Sequence, residues 1–177
     1  TGGSDIKFAV VRYGNAVGSR GSVLPYFKSL IKSNAKSLPI TDERMTRFWI
    51  TLDHGVNFVL NSIDIMQGGE LFIPKTPSIN IIDLVKALDK NIKYHIVGIR
   101  PGEKLHEVLC PGDSARDTIE FKDYYVIRPS GDYTKNKSKN YQINKNKEKG
   151  RFVKENFVYS SNTNQNFLNE KELKKLI

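Results

Sequence analysis

Three short stretches hold the side chains best suited to chemistry, and all three suit anions and polar ligands. The first is RYGNAVGSRGSVLP, residues 12–25. Its glycines at 14, 18 and 21 let backbone amides face a ligand at a strand end. Asn15 can donate and accept at once, and Arg20 adds a charge. The same spacing also suits a tight strand-to-helix turn. The second stretch is Arg44-Met45-Thr46-Arg47-Phe48-Trp49. Its two arginines can clamp a diphosphate, or can pair at the surface with Asp42 and Glu43. The third is Arg100-Pro101-Gly102-Glu103-Lys104. Arg100 follows a run that reads as a buried strand, and α/β sheets bind ligands at the C-terminal edge of their strands. Glu103 can accept hydrogen bonds from hydroxyls or simply begin a helix.

Other chemistry has no signature here. No GxGxxG loop follows a first strand, and no Walker loop is present. His54, His95 and His106 have no metal-ligand spacing, and no Ser–His–Asp arrangement can be argued. The residues therefore assign no catalytic group and no metal site. A single cysteine, Cys110, excludes an internal disulfide and fits a reducing cytoplasm. No apolar run approaches the ~18–20 residues a membrane helix needs. The chain starts at Thr1 without a methionine or a greasy leader, which reads as a fragment of a cytoplasmic protein.

The elements that must position these residues alternate. Ile6–Tyr13 reads as a short strand, and VLPYFKSLIKS with Pro25 near its first turn as a helix. Leu38-Pro39-Ile40 is extended, and Arg47–Leu52 is β-like. Asp53 can cap a helix whose Val56, Val59, Leu60 and Ile63 share one face, ended by Gly68-Gly69. Glu70–Pro74 is a strand, Ile81–Leu88 a helix capped by Asn80, and Tyr94–Ile99 a strand. Glu103–Leu109 reads as helical, Tyr124–Ile127 as β, and Asn169 as the cap of a last short helix. Strands alternating with helices mean α/β. With 177 residues, 38% of them hydrophobic, the chain can bury one ordinary core.

Charge is uneven. The chain carries net +9, yet residues 130–154 alone carry eight basic and two acidic side chains. Lys and Asn alternate there without arginine clusters, so a solvated, mobile segment is favoured over a nucleic-acid or anionic-membrane arm. The expected organisation is a ligand-binding part at 1–129, a basic Lys/Asn-rich loop or linker at 130–150, and a tail with a short helix at 151–177.

RYGNAVGSRGSVLPYF, LPITDERMTRFWITLDHGVNFVL, GGELFIPKTPSINIIDLVKAL and IVGIRPGEKLHEVL, in that order, resemble the C-terminal half of UDP-N-acetylglucosamine 4,6-dehydratases of the inverting type. These are extended short-chain dehydrogenase/reductases whose closest relatives begin pseudaminic acid synthesis for bacterial surface glycans. The resemblance is close over residues 6–129 and looser through FVYSSNTNQNFL. TDERMTRFWIT with GIRPGEKLHE is specific, whereas RYGN recurs across the superfamily. Ala16 departs from the valine expected there, and the Lys/Asn-rich insert is less family-like.

The resemblance implies the C-terminal part of a Rossmann-type fold, namely the last sheet strands and a small substrate-binding lobe. It places the NADP loop, the acid/base pair and the Tyr-x-x-x-Lys motif upstream, so this chain alone is expected to be inactive. It assigns Tyr13, Gly14, Ala16, Val17, Gly18, Ser19 and Arg20 to the nicotinamide end of NADP. Asn15, Val23, Leu24, Pro25, Arg47, Arg100 and Glu103 are assigned to UDP-N-acetylglucosamine. Of these, Val23-Leu24-Pro25 would lie near the uridine, Arg47 and Arg100 at the diphosphate and Glu103 at the ribose. In such enzymes hydride leaves carbon 4 of the hexose for NADP, water is lost from carbon 6, and hydride returns to carbon 6 with inversion at carbon 5. The expected partners are this sugar nucleotide and, in the complete enzyme, further copies of the same chain, with no nucleic acid and no membrane. A related epimerase, a non-inverting dehydratase and a non-catalytic UDP-sugar-binding remnant remain open.

Overall fold

A computed structural model describes residues 6–130 and 139–177. In its first half β1 (Val10–Val11), β2 (Asn15–Ala16), α1 (Val23–Lys32), β3 (Ser37–Ile40), β4 (Thr46–Ile50) and α2 (Leu52–Ile65) follow in order. Next come β5 (Leu71–Pro74), β6 (Ser78–Asn80), α3 (Ile81–Leu88), β7 (Lys93–Ile96) and β8 (Val108–Cys110). The last elements are a 3-10 turn at Gly112–Asp117, β9 (Thr118–Glu120), β10 (Tyr124–Ile127), β11 (Arg151–Phe152), β12 (Tyr159–Ser160) and α4 (Glu170–Leu176). The α/β alternation expected from the sequence is present. The chain winds these elements into two interleaved units, each with its own core.

Unit 1 comprises Thr1–Tyr13, Asp53–Lys75 and Leu109–Tyr159. Its sheet runs β1-β5-β10-β9-β11, with β1 parallel to β5 and every other pair antiparallel. Phe58 and Ile65 of α2 pack with Phe72, Ile119, Phe121, Tyr124 and Val126. The rings of Phe121 and Tyr124 stack at 4.7 Å, an offset contact worth about 0.5–1.5 kcal/mol beyond its buried area. After α2 the chain turns at Gly68 and Gly69, with φ of 110° and 96°. Buried Glu70 closes this turn by accepting from the amides of Gln67 and Gly68.

Part of the basic segment folds onto this unit instead of standing free in water. Tyr141 packs against the core and donates to Gly68 O at 3.0 Å. Asn144 Nδ2 donates to Tyr124 Oη and to the Glu148 carboxylate, both at 2.9 Å. Burial holds the Tyr124 hydroxyl at about 12, so it stays protonated in this network. The rest of the segment, residues 131–138, lies outside the described residues.

Unit 2 comprises Gly14–Leu52, Thr76–Val108 and Ser160–Ile177. Here β4 is the middle strand of β2-β4-β6, parallel to β2 and antiparallel to β6, while β3 and β7 form a parallel pair. Phe27, Leu38, Ile40, Leu84, Val85 and Leu173 fill the core. Local signals set the ends of α3 and α4. Asn80 Oδ1 accepts from Ile82 N, and Asn169 forms a reciprocal capping box with Glu172.

Four local expectations change, the first being the strand before Arg100: β7 is exposed at all four residues and is not buried. The strand read at Ile6–Tyr13 is ordered as β only at Val10–Val11. The α2 face bearing Val56, Leu60 and Ile63 is exposed, and Gly55, Phe58, Ser62 and Ile65 are buried in its place. Glu103–Leu109 is not a helix. Its backbone groups take partners far along the chain: Leu105 O accepts from Thr46 N, and Glu107 N donates to Ser161 Oγ. Those partners replace the i to i−4 ladder.

One close approach fixes where β2 meets β4. A Cβ on Gly14 would stand 2.5 Å from Phe48 Cβ and 2.7 Å from Phe48 O, so glycine is required for packing there. Gly14→Ala should lower the unfolding free energy by about 1–3 kcal/mol, measured by urea denaturation.

Candidate functional site

A cavity of roughly 670 Å³ opens within unit 2. Its apolar floor is Met45, Trp49, Ile79 and Ile81, all buried, and Pro25 and Tyr26 of α1 form a wall. Asn15, Ser22, Thr41, Arg47, Arg100 and Glu103 border it with polar side chains. Two guanidiniums against one carboxylate leave the lining net positive. An apolar slot with a few convergent polar groups is the usual form of a small-molecule site.

The polar groups come from several segments of the unit. Asn15 lies opposite Trp49 in the β2–β4 register. Thr41 directly follows β3. Arg47, on β4, donates from Nη1 to Thr46 O at 2.8 Å and Leu105 O at 3.0 Å, and from Nη2 to Lys104 O at 2.7 Å. Its fork therefore ties the segment after Glu103 to β4. The Arg100–Glu103 turn closes on itself. Glu103 N donates to Arg100 O at 3.0 Å, and Glu103 Oε2 accepts from Arg100 N at 3.2 Å. Gly102 supplies the left-handed φ of 79° this turn needs. Thr41 Oγ1 donates to Glu103 Oε1 at 3.3 Å. The Arg100 guanidinium is exposed and has no protein partner among the described residues.

The candidates read from the sequence separate. Asn15, Val23, Pro25, Arg47, Arg100 and Glu103 border this one cavity. Leu24 does not; it is 4% exposed in the core beneath. Arg44 also does not, because it pairs bidentately with Asp42 at 2.9 and 2.7 Å. That bond, with an amide from Arg44, holds the Asp42 carboxyl down at about 2. Gly14 is filled by Phe48. Ala16 and Val17 are half-buried, and Gly18, Ser19 and Arg20 are exposed, with open space beside Gly18 at φ 72°. That stretch can pass along a ligand without enclosing one. Tyr13 is exposed. Thr41 and Tyr26 were missed, although Thr41 sits at the end of a parallel strand, the signal that had singled out Arg100.

A second layer supports the site. Glu107 Oε2 accepts from Phe48 N at 3.1 Å, and burial raises its carboxyl above the ordinary value despite Arg47 and Lys104. Thr46 Oγ1 bonds His106 Nδ1 and Ser161 Oγ, both at 2.8 Å. No cluster of metal-ligating side chains occurs among the described residues, and no described helix is long and apolar enough to cross a membrane.

The sequence pattern of the polysaccharide biosynthesis protein family matches residues 1–129. The UDP-N-acetylglucosamine 4,6-dehydratase (inverting) of Campylobacter jejuni serotype O:2 is 52% identical over 176 residues, covering 99% of this chain and 52% of that protein. A UDP-glucose 4-epimerase of Rickettsia canadensis is 38% identical over 133 residues, 72% of this chain and 38% of that protein. The X-ray structure of Pen from Bacillus thuringiensis aligns with a TM-score of 0.76 at 34% identity, over 97% of this chain and 49% of that one. The chain thus spans about half the length of the dehydratases it matches.

Two predictions follow from the geometry. Arg47→Met removes three bonds to carbonyls and should cost about 1.5–3 kcal/mol in chemical denaturation, whereas Arg100→Met should stay within about 0.5 kcal/mol. Glu107, with its folded pKa raised, contributes stability that is present at low pH and lost as pH rises through that pKa. Glu107→Gln keeps the acceptor for Phe48 N without the charge. Its melting temperature relative to the unsubstituted chain should therefore rise as pH increases above about 4.5.

Proposed function

The chain belongs to the polysaccharide biosynthesis protein family, and from that premise we propose that its cavity holds the nucleoside diphosphate part of UDP-N-acetylglucosamine. On this reading the chain is the substrate-binding half of an NADP-dependent, inverting 4,6-dehydratase that makes a 4-keto-6-deoxy sugar nucleotide in the cytoplasm. The product would feed bacterial surface-glycan synthesis of the pseudaminic acid type, and the complete enzyme would be a homo-oligomer. The observation that carries the reading is the convergence of Asn15, Arg47, Arg100 and Glu103 on one apolar-floored cavity.

The chemistry of each group fits its assignment. A flat pyrimidine suits the slot between Tyr26 and the Trp49 floor. Glu103, already accepting from the Thr41 hydroxyl, would accept from ribose hydroxyls as well. Arg100 offers an uncommitted fork to phosphate oxygens, and Arg47 adds charge to the same lining. Asn15, on the same lining, would meet the sugar or the diphosphate. NADP, when bound, supplies the hydride acceptor and donor, and Gly18, Ser19 and Arg20 would meet it. This chain's own share of catalysis is then positional: binding energy at the remote diphosphate holds the hexose for reaction.

Trp49 is the sole tryptophan and borders the cavity, so its fluorescence reports occupancy directly. UDP should change Trp49 emission saturably, and uridine, lacking the diphosphate, should bind about tenfold or more weaker. Arg100→Ala should weaken UDP binding roughly 30- to 1,000-fold, and Arg100→Lys should recover only part of it. UDP binding that is indifferent to Arg100 would place the nucleotide elsewhere.

A further inference from the structure

Unit 1 has a hollow of its own, roughly 440 Å³ in volume. It is lined by Lys7, ahead of β1, by Gln67, just after α2, and by Lys139, Asn140, Asn144 and Lys145 of the basic segment. None of the described residues that line it is acidic. The basic segment lies beyond residues 1–129, which carry the family pattern.

The backbone that carries these lysines is held in place. Gln67 Nε2 donates to the carbonyls of Asn140 and Ile143, both at 3.1 Å. Lys139 Nζ donates in return to Gln67 O at 2.8 Å, and Tyr141 Oη to Gly68 O at 3.0 Å. Asn144 is bound to Tyr124 and Glu148. A Cβ on Gly68 would lie 3.5 Å from Lys7 Cβ and 3.8 Å from Lys139 Nζ, so both lysines reach the same glycine.

Their charge is uncompensated. Elsewhere Lys75 pairs with Glu120, Arg128 with Asp117, and Lys90 and Lys174 with Glu170. Lys7, Lys139 and Lys145 make no ion pair with a described residue. Ammonium groups gathered on one hollow repel each other, and a bound anion would offset that repulsion. The lining also selects among anions. Lysine is a mobile point charge that suits phosphate oxygens, and no arginine fork is present for planar carboxylates. The nearby ring of Tyr141 packs against the core, so a nucleobase has nothing to stack on.

We propose that this hollow binds a free diphosphate or short polyphosphate, which bridges Lys7 to Lys139 and Lys145 and clasps the basic segment to the start of β1. The inference does not rest on the nucleotide reading, since the Trp49 cavity belongs to unit 2.

The test is calorimetric titration of the full 177-residue chain with pyrophosphate at low ionic strength. Pyrophosphate would also be drawn to Arg100, so the chain carries Arg100→Ala, and Trp49 emission is followed alongside. Saturable 1:1 binding with unchanged Trp49 emission is expected. Lys7→Gln and Lys145→Gln should each weaken it about three- to tenfold. Lys154→Gln removes the same charge from an exposed position of unit 1 outside the hollow, and should weaken it about twofold or less. UDP should bind this site no tighter than pyrophosphate. Lys7 and Lys145 are exposed, so circular dichroism and melting of the free chain should not change, and if one variant fails to fold the other decides. Four results would overturn the proposal. They are no saturable binding, binding that alters Trp49 emission and ignores the lysines, equal losses in Lys154→Gln and the two hollow variants, and UDP or oligothymidylate binding through the same lysines more than about tenfold tighter than pyrophosphate.

Discussion

Strand β4 is the constraint on which the candidate site depends. It lies in the middle of a three-stranded sheet, and each of its residues answers to a different partner. Thr46 binds His106 and Ser161, Arg47 holds the Lys104 and Leu105 carbonyls, Phe48 N meets Glu107, and Trp49 pairs with Asn15. Buried backbone groups must be satisfied, and here much of that satisfaction comes from side chains that also shape the cavity. Removing one partner leaves a buried donor or acceptor exposed to its full desolvation cost, so the loops at 100–107 and 160–168 are as well held as regular elements.

Two arginines of similar promise in the sequence end in different roles because of this strand. Arg47 is bound along its fork and acts first as a tie. Arg100 stands on a self-closed turn with its guanidinium unengaged, which is the state a recognition group needs before its ligand arrives. Arg44 is spent on Asp42. The net positive lining therefore comes from a division of labour among neighbours and not from the number of arginines.

Unit 1 shows how a polar, lysine-rich sequence can still be ordered. Tyr141 supplies the buried area, and Asn144 with Glu148 joins the Tyr124 hydroxyl, so the segment from 139 to 150 is anchored by one aromatic ring and a small network. Burial that keeps Tyr124 protonated also keeps it a donor to Glu148. Composition weighs the many lysines equally and misses the single tyrosine.

What the sequence alone determined is what acts within a few residues. The Asn80 and Asn169 caps, the helix at Ile81–Leu88 and the glycine turn at 68–69 all depend on groups that are near neighbours in the chain. The family likeness was legible too, carried by motifs spread along the chain. Only the tertiary structure decided the rest. Apolar periodicity marks α2 as amphipathic but is blind to which stripe meets a core, and Phe58 rather than Leu60 was the side that found one. The run from Glu103 to Leu109 has helical spacing, yet Leu105 O and Glu107 N find their partners, Thr46 and Ser161, 59 and 54 positions away, and such bonds outweigh a short helix's own ladder. The cavity likewise exists only once β2, β3, β4 and the Arg100 turn are brought together, because long-range packing is set by the summed burial of many residues and is written in no single segment.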